Sequence, residues 1–142
     1  MKESDFSLNN KTILVTGASS GLGASTAIEC SKAGAKVIIS GRNEERLNAT
    51  FNQLHGDGHS QLIFDLSVNE NINELAISLL KIDGIVLCAG ITKTIPVKFI
   101  SSESIENIFQ VNLFSSMLLI QKLLKLKKIN KGGSIVFISS IS

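Results

Sequence analysis

Five short, nearly unbroken apolar runs recur along the chain, with longer segments of helical spacing between them. The runs are "TILVTG" (Thr12–Gly17), "KVIIS" (Lys36–Ser40), "QLIFDL" (Gln61–Leu66), "GIVLCAG" (Gly84–Gly90) and "SIVFIS" (Ser134–Ser139). A strand wetted on one face alternates apolar and polar residues, whereas a strand covered on both faces does not. The segments between them, Leu22–Ala33, Glu44–Leu54, Val68–Leu80 and Glu103–Lys128, read as helices. Gly34 supplies a stop for the first helix, and Ser67 and Ser102 are placed to cap the third and fourth. Strand–helix alternation at this spacing demands right-handed crossovers and a parallel sheet with helices on both faces. The expectation is an α/β fold: a doubly wound parallel sheet of five strands and four helices.

"VTGASSGLGAS" joins the first strand to the first helix. Gly17 permits a tight turn out of the strand, Gly21 leaves room for a pyrophosphate, and Gly23 allows close helix packing. The free N–H groups at the helix start and the positive end of its dipole favour a phosphate. The sheet is therefore of Rossmann type, and Gly17, Ser19, Ser20, Gly21, Leu22 and Gly23 are candidate dinucleotide-binding residues. After the second strand an acidic residue would accept from the ribose 2′-hydroxyl. In "ISGRNEER" that place is held by Gly41, followed by Arg42. A guanidinium grips a phosphate with two parallel bonds, so the sequence predicts NADP(H) over NAD(H).

The organisation is a polar leader, residues 1–10, and one domain, residues 11–142. An apolar share of 44% is enough for a real core, and a net charge of +2 from scattered basic residues does not point to nucleic acid. The leader lacks the pattern of a secretory signal. The longest apolar stretch, Leu113–Leu126, is broken by Ser115, Ser116, Gln121, Lys122 and Lys125, which argues against a membrane span. Cys30 and Cys88 have no metal or redox spacing, and buried thiols in a cytoplasmic protein are the simpler reading. "HGDGHS", with His55, Asp57 and His59, reads as a surface loop rather than a metal site. "KLLKLKKINK" reads as lysines complementing a helix C-terminus.

Apolar residues of the fourth helix, among them Ile105, Phe109, Leu113, Phe114, Met117, Leu118 and Leu124, cover more than one face. One stripe suffices to cover a sheet. The surplus predicts burial under another helix, in this chain or in a partner subunit of a homo-oligomer.

"TGASSGLG" closely resembles the signature of the short-chain dehydrogenase/reductase family, and the resemblance continues in order along the chain. Asp65-Leu66 is similar to the family's acidic residue after the third strand, which contacts the adenine. "LCAG" (Leu87–Gly90) resembles its Asn-Asn-Ala-Gly, making Cys88, Ala89 and Gly90 cofactor-binding candidates, with Cys88 standing where the family has asparagine. "VNL" places Asn112 at the family's active-site asparagine, and "GSIVFISSIS" places Ser140 at its catalytic serine.

The resemblance implies an oxidoreductase of the ketoreductase type, akin to 3-oxoacyl-carrier-protein reductases. Its substrate would be a small-molecule carbonyl or alcohol, or a carrier-bound acyl chain. It also implies a Tyr-x-x-x-Lys pair after the fifth strand, in which the lysine lowers the tyrosine's pKa for proton transfer. The sequence has no tyrosine. The expectation is the N-terminal part of a longer enzyme, inactive alone, with an incomplete sheet open at its fifth strand. Alternatives are a non-catalytic dinucleotide-binding module and an inert fragment.

Overall fold

A computed structural model describes residues 6–140, so half of the predicted leader lies outside the described residues. The elements are β1 (Thr12–Thr16), α1 (Gly21–Lys32), β2 (Lys36–Gly41), α2 (Glu44–Phe51), β3 (Ser60–Ile63), α3 (Asn69–Ser78), β4 (Ile82–Leu87), α4 (Ser102–Phe109), α5 (Ser115–Lys125) and β5 (Ile129–Phe137). A π-helical turn, Gln110–Phe114, joins α4 to α5, so the expected fourth helix is one rod with a wide turn in its middle. The strands form one parallel sheet in the order β3-β2-β1-β4-β5. Five strands, four helical rods and an open edge at β5 are the architecture the sequence predicts.

Successive strand residues feed opposite faces, which is why the runs are apolar throughout. Leu14, Ile85 and Leu87 join Ile72, Leu75, Leu79, Leu119 and Leu123 under α3 and α5. Ile13, Val15, Val37 and Ile39 join Ala27 and Leu47 under α1 and α2. Truncating one of the fully buried leucines to alanine costs about 2–5 kcal/mol.

Several boundaries differ from expectation for local reasons. Ser67 does not cap α3. Its N–H and hydroxyl both donate to Asp65 Oδ1, at 2.9 and 2.7 Å, a side-chain turn that ends β3 early and leaves Val68 at the cap. Ser101, not Ser102, caps α4: its Oγ accepts from the Ser104 N–H, and Ser104 Oγ accepts from the Ser101 N–H.

β5 starts sooner than expected. The Ile82 N–H donates to the Lys128 carbonyl, and Asn130 Nδ2 donates to Asp83 Oδ1 at 2.9 Å. The register then slips, with Ile82 opposite Ile129 but Gly84 opposite Ser134. Lys128 Nζ donates to the carbonyls of Ile77 and Leu79, neutralising the C-terminal end of α3.

The surplus apolar face of the fourth rod is not covered by a helix among the described residues. Phe109, Leu113, Phe114, Met117 and Leu124 are exposed by 43 to 55%.

Candidate functional site

Strand order reverses between β1 and β4, and loops that diverge at such a point leave a crevice beyond the carboxyl ends of the strands. A cavity of 360 Å³ opens there. The β1–α1 turn lines it with Gly17, Ser19, Ser20, Leu22 and Gly23. The end of β2 and the start of α2 contribute Ser40, Gly41, Arg42, Asn43 and Arg46. Phe64, Asp65 and Leu66 come from beyond β3, Cys88, Ala89, Gly90 and Ile91 from beyond β4, and Val111 and Ile138 complete the wall.

The turn is held by its glycines and by two long-range bonds. Gly17 has φ +65°, and a Cβ there would meet the Cys88 carbonyl at 2.6 Å; one on Gly23 would meet the Gly17 oxygen at 2.2 Å. Gly21 does not line the cavity; its φ is +55° and the space around its missing side chain is open. The Ala18 N–H donates to the Ser40 carbonyl at 3.0 Å, and the buried Thr50 hydroxyl donates to the Ala18 carbonyl at 2.8 Å. The turn is thereby fastened to β2 and α2.

The electrostatics favour an anion. Ser20 makes no side-chain cap and the first turn of α1 carries no acid, so its N–H groups and dipole are uncompensated beside the cavity. Among the described residues neither Arg42 nor Arg46 is ion-paired. The Ser67 hydroxyl holds Asp65 below the ordinary carboxylate range, helped by the Ser67 N–H and by Arg42 against the opposing effect of burial. Both Ser67 bonds go to Oδ1, which leaves Oδ2 an open acceptor. Among the described residues Ser19 Oγ and Ser40 Oγ find no hydrogen-bond partner, although both are buried.

Cys88 and Cys30 are half-buried rather than buried. Burial pushes the Cys88 thiol up, although a hydrogen bond with Thr26 opposes it. Where asparagine was expected, Cys88 packs against the core under α1.

The two catalytic candidates do not line the cavity. Asn112 sits in the π turn, its Oδ1 accepting from the Ile91 N–H at 2.6 Å and its Nδ2 donating to the Ile91 carbonyl at 2.8 Å. Ser140 is exposed, two residues beyond Ile138. The sequence reading missed Ser40, Asn43, Arg46, Phe64, Ile91, Val111 and Ile138. Only Arg46 carried a signal, as a second arginine four residues past Arg42.

His59 lies in the loop before β3, as expected, and ties it to β2. Its Nδ1 accepts from the Val37 N–H at 3.0 Å, which leaves Nε2 to donate to the His55 carbonyl at 2.8 Å. Among the described residues no group of His, Cys, Asp and Glu is arranged to hold a metal, and no helix is long and apolar enough to cross a membrane.

The family model for short chain dehydrogenases matches residues 11–142. A 3-oxoacyl-[acyl-carrier-protein] reductase of Rickettsia bellii is 35% identical over 134 residues, covering 94% of this chain and 55% of that enzyme. An oxidoreductase of Escherichia coli K12 is 34% identical over 143 residues, covering 94% of this chain and 57% of its own. A Shigella flexneri 2a protein, solved as a short chain dehydrogenase in complex with NADP, superposes with a TM-score of 0.82 at 34% identity, over 95% of this chain and 61% of that one. The chain thus spans about half the length of the curated relatives it matches.

Proposed function

The chain belongs to the short-chain dehydrogenase family, and on that premise we propose that it forms the cofactor-binding part of an NADP(H)-dependent oxidoreductase that interconverts a carbonyl and a hydroxyl. The observation that carries the reading is the uncapped first turn of α1, opening on a cavity flanked by Arg42 and Arg46, neither in a salt bridge among the described residues. Helix N–H groups and guanidinium forks are donor-only anion receptors, suited to a diphosphate and to an added 2′-phosphate. The missing side chains of Gly17 and Gly23 shape the cradle. Ser67 holds the Asp65 pKa low, and Oδ2 stays open to an exocyclic amino group.

When bound, the cofactor would supply or accept the hydride. Ser140, as the resemblance implies, orients the substrate oxygen by donating to it. Asn112 holds the Ile91 loop at the lip of the site. These 142 residues would hold the dinucleotide and the orienting serine. A second reading is a dinucleotide-binding module without catalysis. The reductase similarity makes a carrier-bound acyl chain the leading substrate class, and the bare apolar face of α4 and α5 is the surface for self-association.

Calorimetric titration with NADP⁺ and NAD⁺ tests the reading. NADP⁺ should bind more tightly, and Arg42→Asp should lower the affinity ratio by roughly tenfold or more. Failure of the chain to bind either dinucleotide would overturn it, and binding without turnover of a ketone by the full-length protein would favour the second reading.

A further inference from the structure

Four exposed lysines stand at the starts of four neighbouring strands. Lys11 precedes β1, Lys36 opens β2, Lys81 precedes β4, and Lys127 lies two residues before β5. These strands are consecutive in the sheet, in the order β2-β1-β4-β5. Neighbouring strands lie about 4.8 Å apart, so the row runs for roughly 15 Å along the edge opposite the crevice. The Lys36 N–H donates to the Lys11 carbonyl and the Ile82 N–H to that of Lys128, each at 2.8 Å, which sets the strand starts side by side. Among the described residues none of the four lysines is in a salt bridge. Asp83 shares the edge near Lys11, but its two oxygens are spent on Thr12 and Asn130.

Two leucines accompany the row. Leu80 and Leu126 immediately precede Lys81 and Lys127 and are 82% and 43% exposed. Lys127 takes φ +53°, the left-handed stop of α5. Lys128 Nζ then ties this turn to the carbonyls of Ile77 and Leu79. The two leucine–lysine turns therefore stand next to each other. In "KLLKLKKINK", Lys128 serves the C-terminal end of α3, while Lys127 is left facing solvent.

We propose that this edge docks on an anionic lipid surface, its lysines against the headgroups and Leu80 and Leu126 in the boundary beneath them. Like charges in a row repel one another, and a negative surface relieves that repulsion. A side chain as exposed as Leu80 projects from the protein rather than lining a recess. A headgroup layer takes such a side chain without a matching pocket, which a protein partner would have to supply. Attachment to a bilayer surface strengthens with buried apolar area and with attraction to anionic lipid, and this edge offers both. The crevice opens at the other end of the strands, so a docked molecule keeps it toward water. The inference makes no use of the dinucleotide reading.

Co-sedimentation of the full-length protein with vesicles tests this, using phosphatidylcholine alone and phosphatidylcholine mixed with phosphatidylserine. The protein should bind the mixed vesicles at about 0.1 M salt, and binding should fall by roughly tenfold or more near 1 M. Lys81→Gln with Lys127→Gln is expected to weaken the partition by about tenfold or more. Leu80→Ser should weaken it by about fivefold or more. Lys93→Gln with Lys98→Gln makes the same change of charge between β4 and α4, away from this edge. That pair should alter the partition by less than about twofold. Equal binding to the neutral vesicles, no binding to the mixed ones, or as large a loss from the Lys93 and Lys98 pair would overturn the proposal. An unchanged partition for Leu80→Ser would overturn it as well, and retention on immobilised polyglutamate would then mark the edge as a site for an acidic protein. NADP⁺ affinity should be the same in every variant, so this proposal and the dinucleotide reading fail in different measurements.

Discussion

The side-chain amide of Asn112 spends both of its polar ends on the backbone of one residue, Ile91, in the manner of a strand neighbour. The π turn brings Asn112 to the loop that follows β4, and a Cβ on Gly90 would come within 3.3 Å of its Oδ1. Asn112→Leu should therefore free the loop at the lip of the cavity. The expected loss is about 1–2 kcal/mol, modest because both residues are partly wetted. Hydrogen exchange at the Ile91 amide should accelerate; unchanged exchange would mean that the pair holds nothing in place.

Thr50 fastens the glycine turn to α2 through a buried bond to the Ala18 carbonyl. Thr50→Val keeps the shape and removes the donor, at an expected cost of about 1–3 kcal/mol. Thr50→Ser should recover most of it. Urea denaturation of the three proteins checks the order, and equal midpoints would refute the anchoring role.

The Asp83 carboxylate accepts from the Thr12 N–H at 2.8 Å and from Asn130 Nδ2 at 2.9 Å, joining the starts of β1 and β5. The Thr12 N–H first, then Asn130, hold it below the ordinary carboxylate range. Because the folded value is the lower one, its contribution is fully present above the unfolded carboxylate pKa of about 4 and is lost as pH falls through the folded value. Asp83→Asn should flatten the acid side of the stability curve while lowering stability at neutral pH. Denaturation midpoints between pH 7 and pH 3 report this, and parallel curves for the two proteins would contradict it.

Phe114 and Met117 stand 47% and 55% exposed on the fourth rod. If that face is the contact between copies, Phe114→Lys with Met117→Glu should shift the chain toward monomer in sedimentation. The secondary structure should be unchanged by circular dichroism, because neither side chain is in the core. A monomeric wild type, or an unchanged distribution in the variant, would remove this surface from consideration.

Much of the fold was legible because strands covered on both faces have little freedom in composition. Leu14 and Val15 are adjacent and both fully buried, one under each helical layer. Gly17 and Gly23 were legible because close backbone approach admits no other residue. What the sequence hid were features decided by partners distant in the chain. Ser67 looks like a cap until Asp65 claims its hydroxyl. His59 is the loop residue the sequence suggests, but the bond that Val37 donates to it across the fold had no local signal. Phe64, Val111 and Ile138 reach the cavity only because the fold brings three separate segments to one point. The π turn leaves no mark in the spacing of apolar residues.

That wide turn sets the phase between two halves of a helix. Each residue of a helix advances its direction by about 100°, so one position gained or lost rotates everything downstream by that angle. Leu119 and Leu123 meet the layer of Leu75 and Leu79 only at the present setting. An in-frame deletion of one residue between Ser115 and Leu118 would swing both leucines off that layer, whereas one between Gln110 and Phe114 closes the wide turn to an α-helical one and leaves them in place.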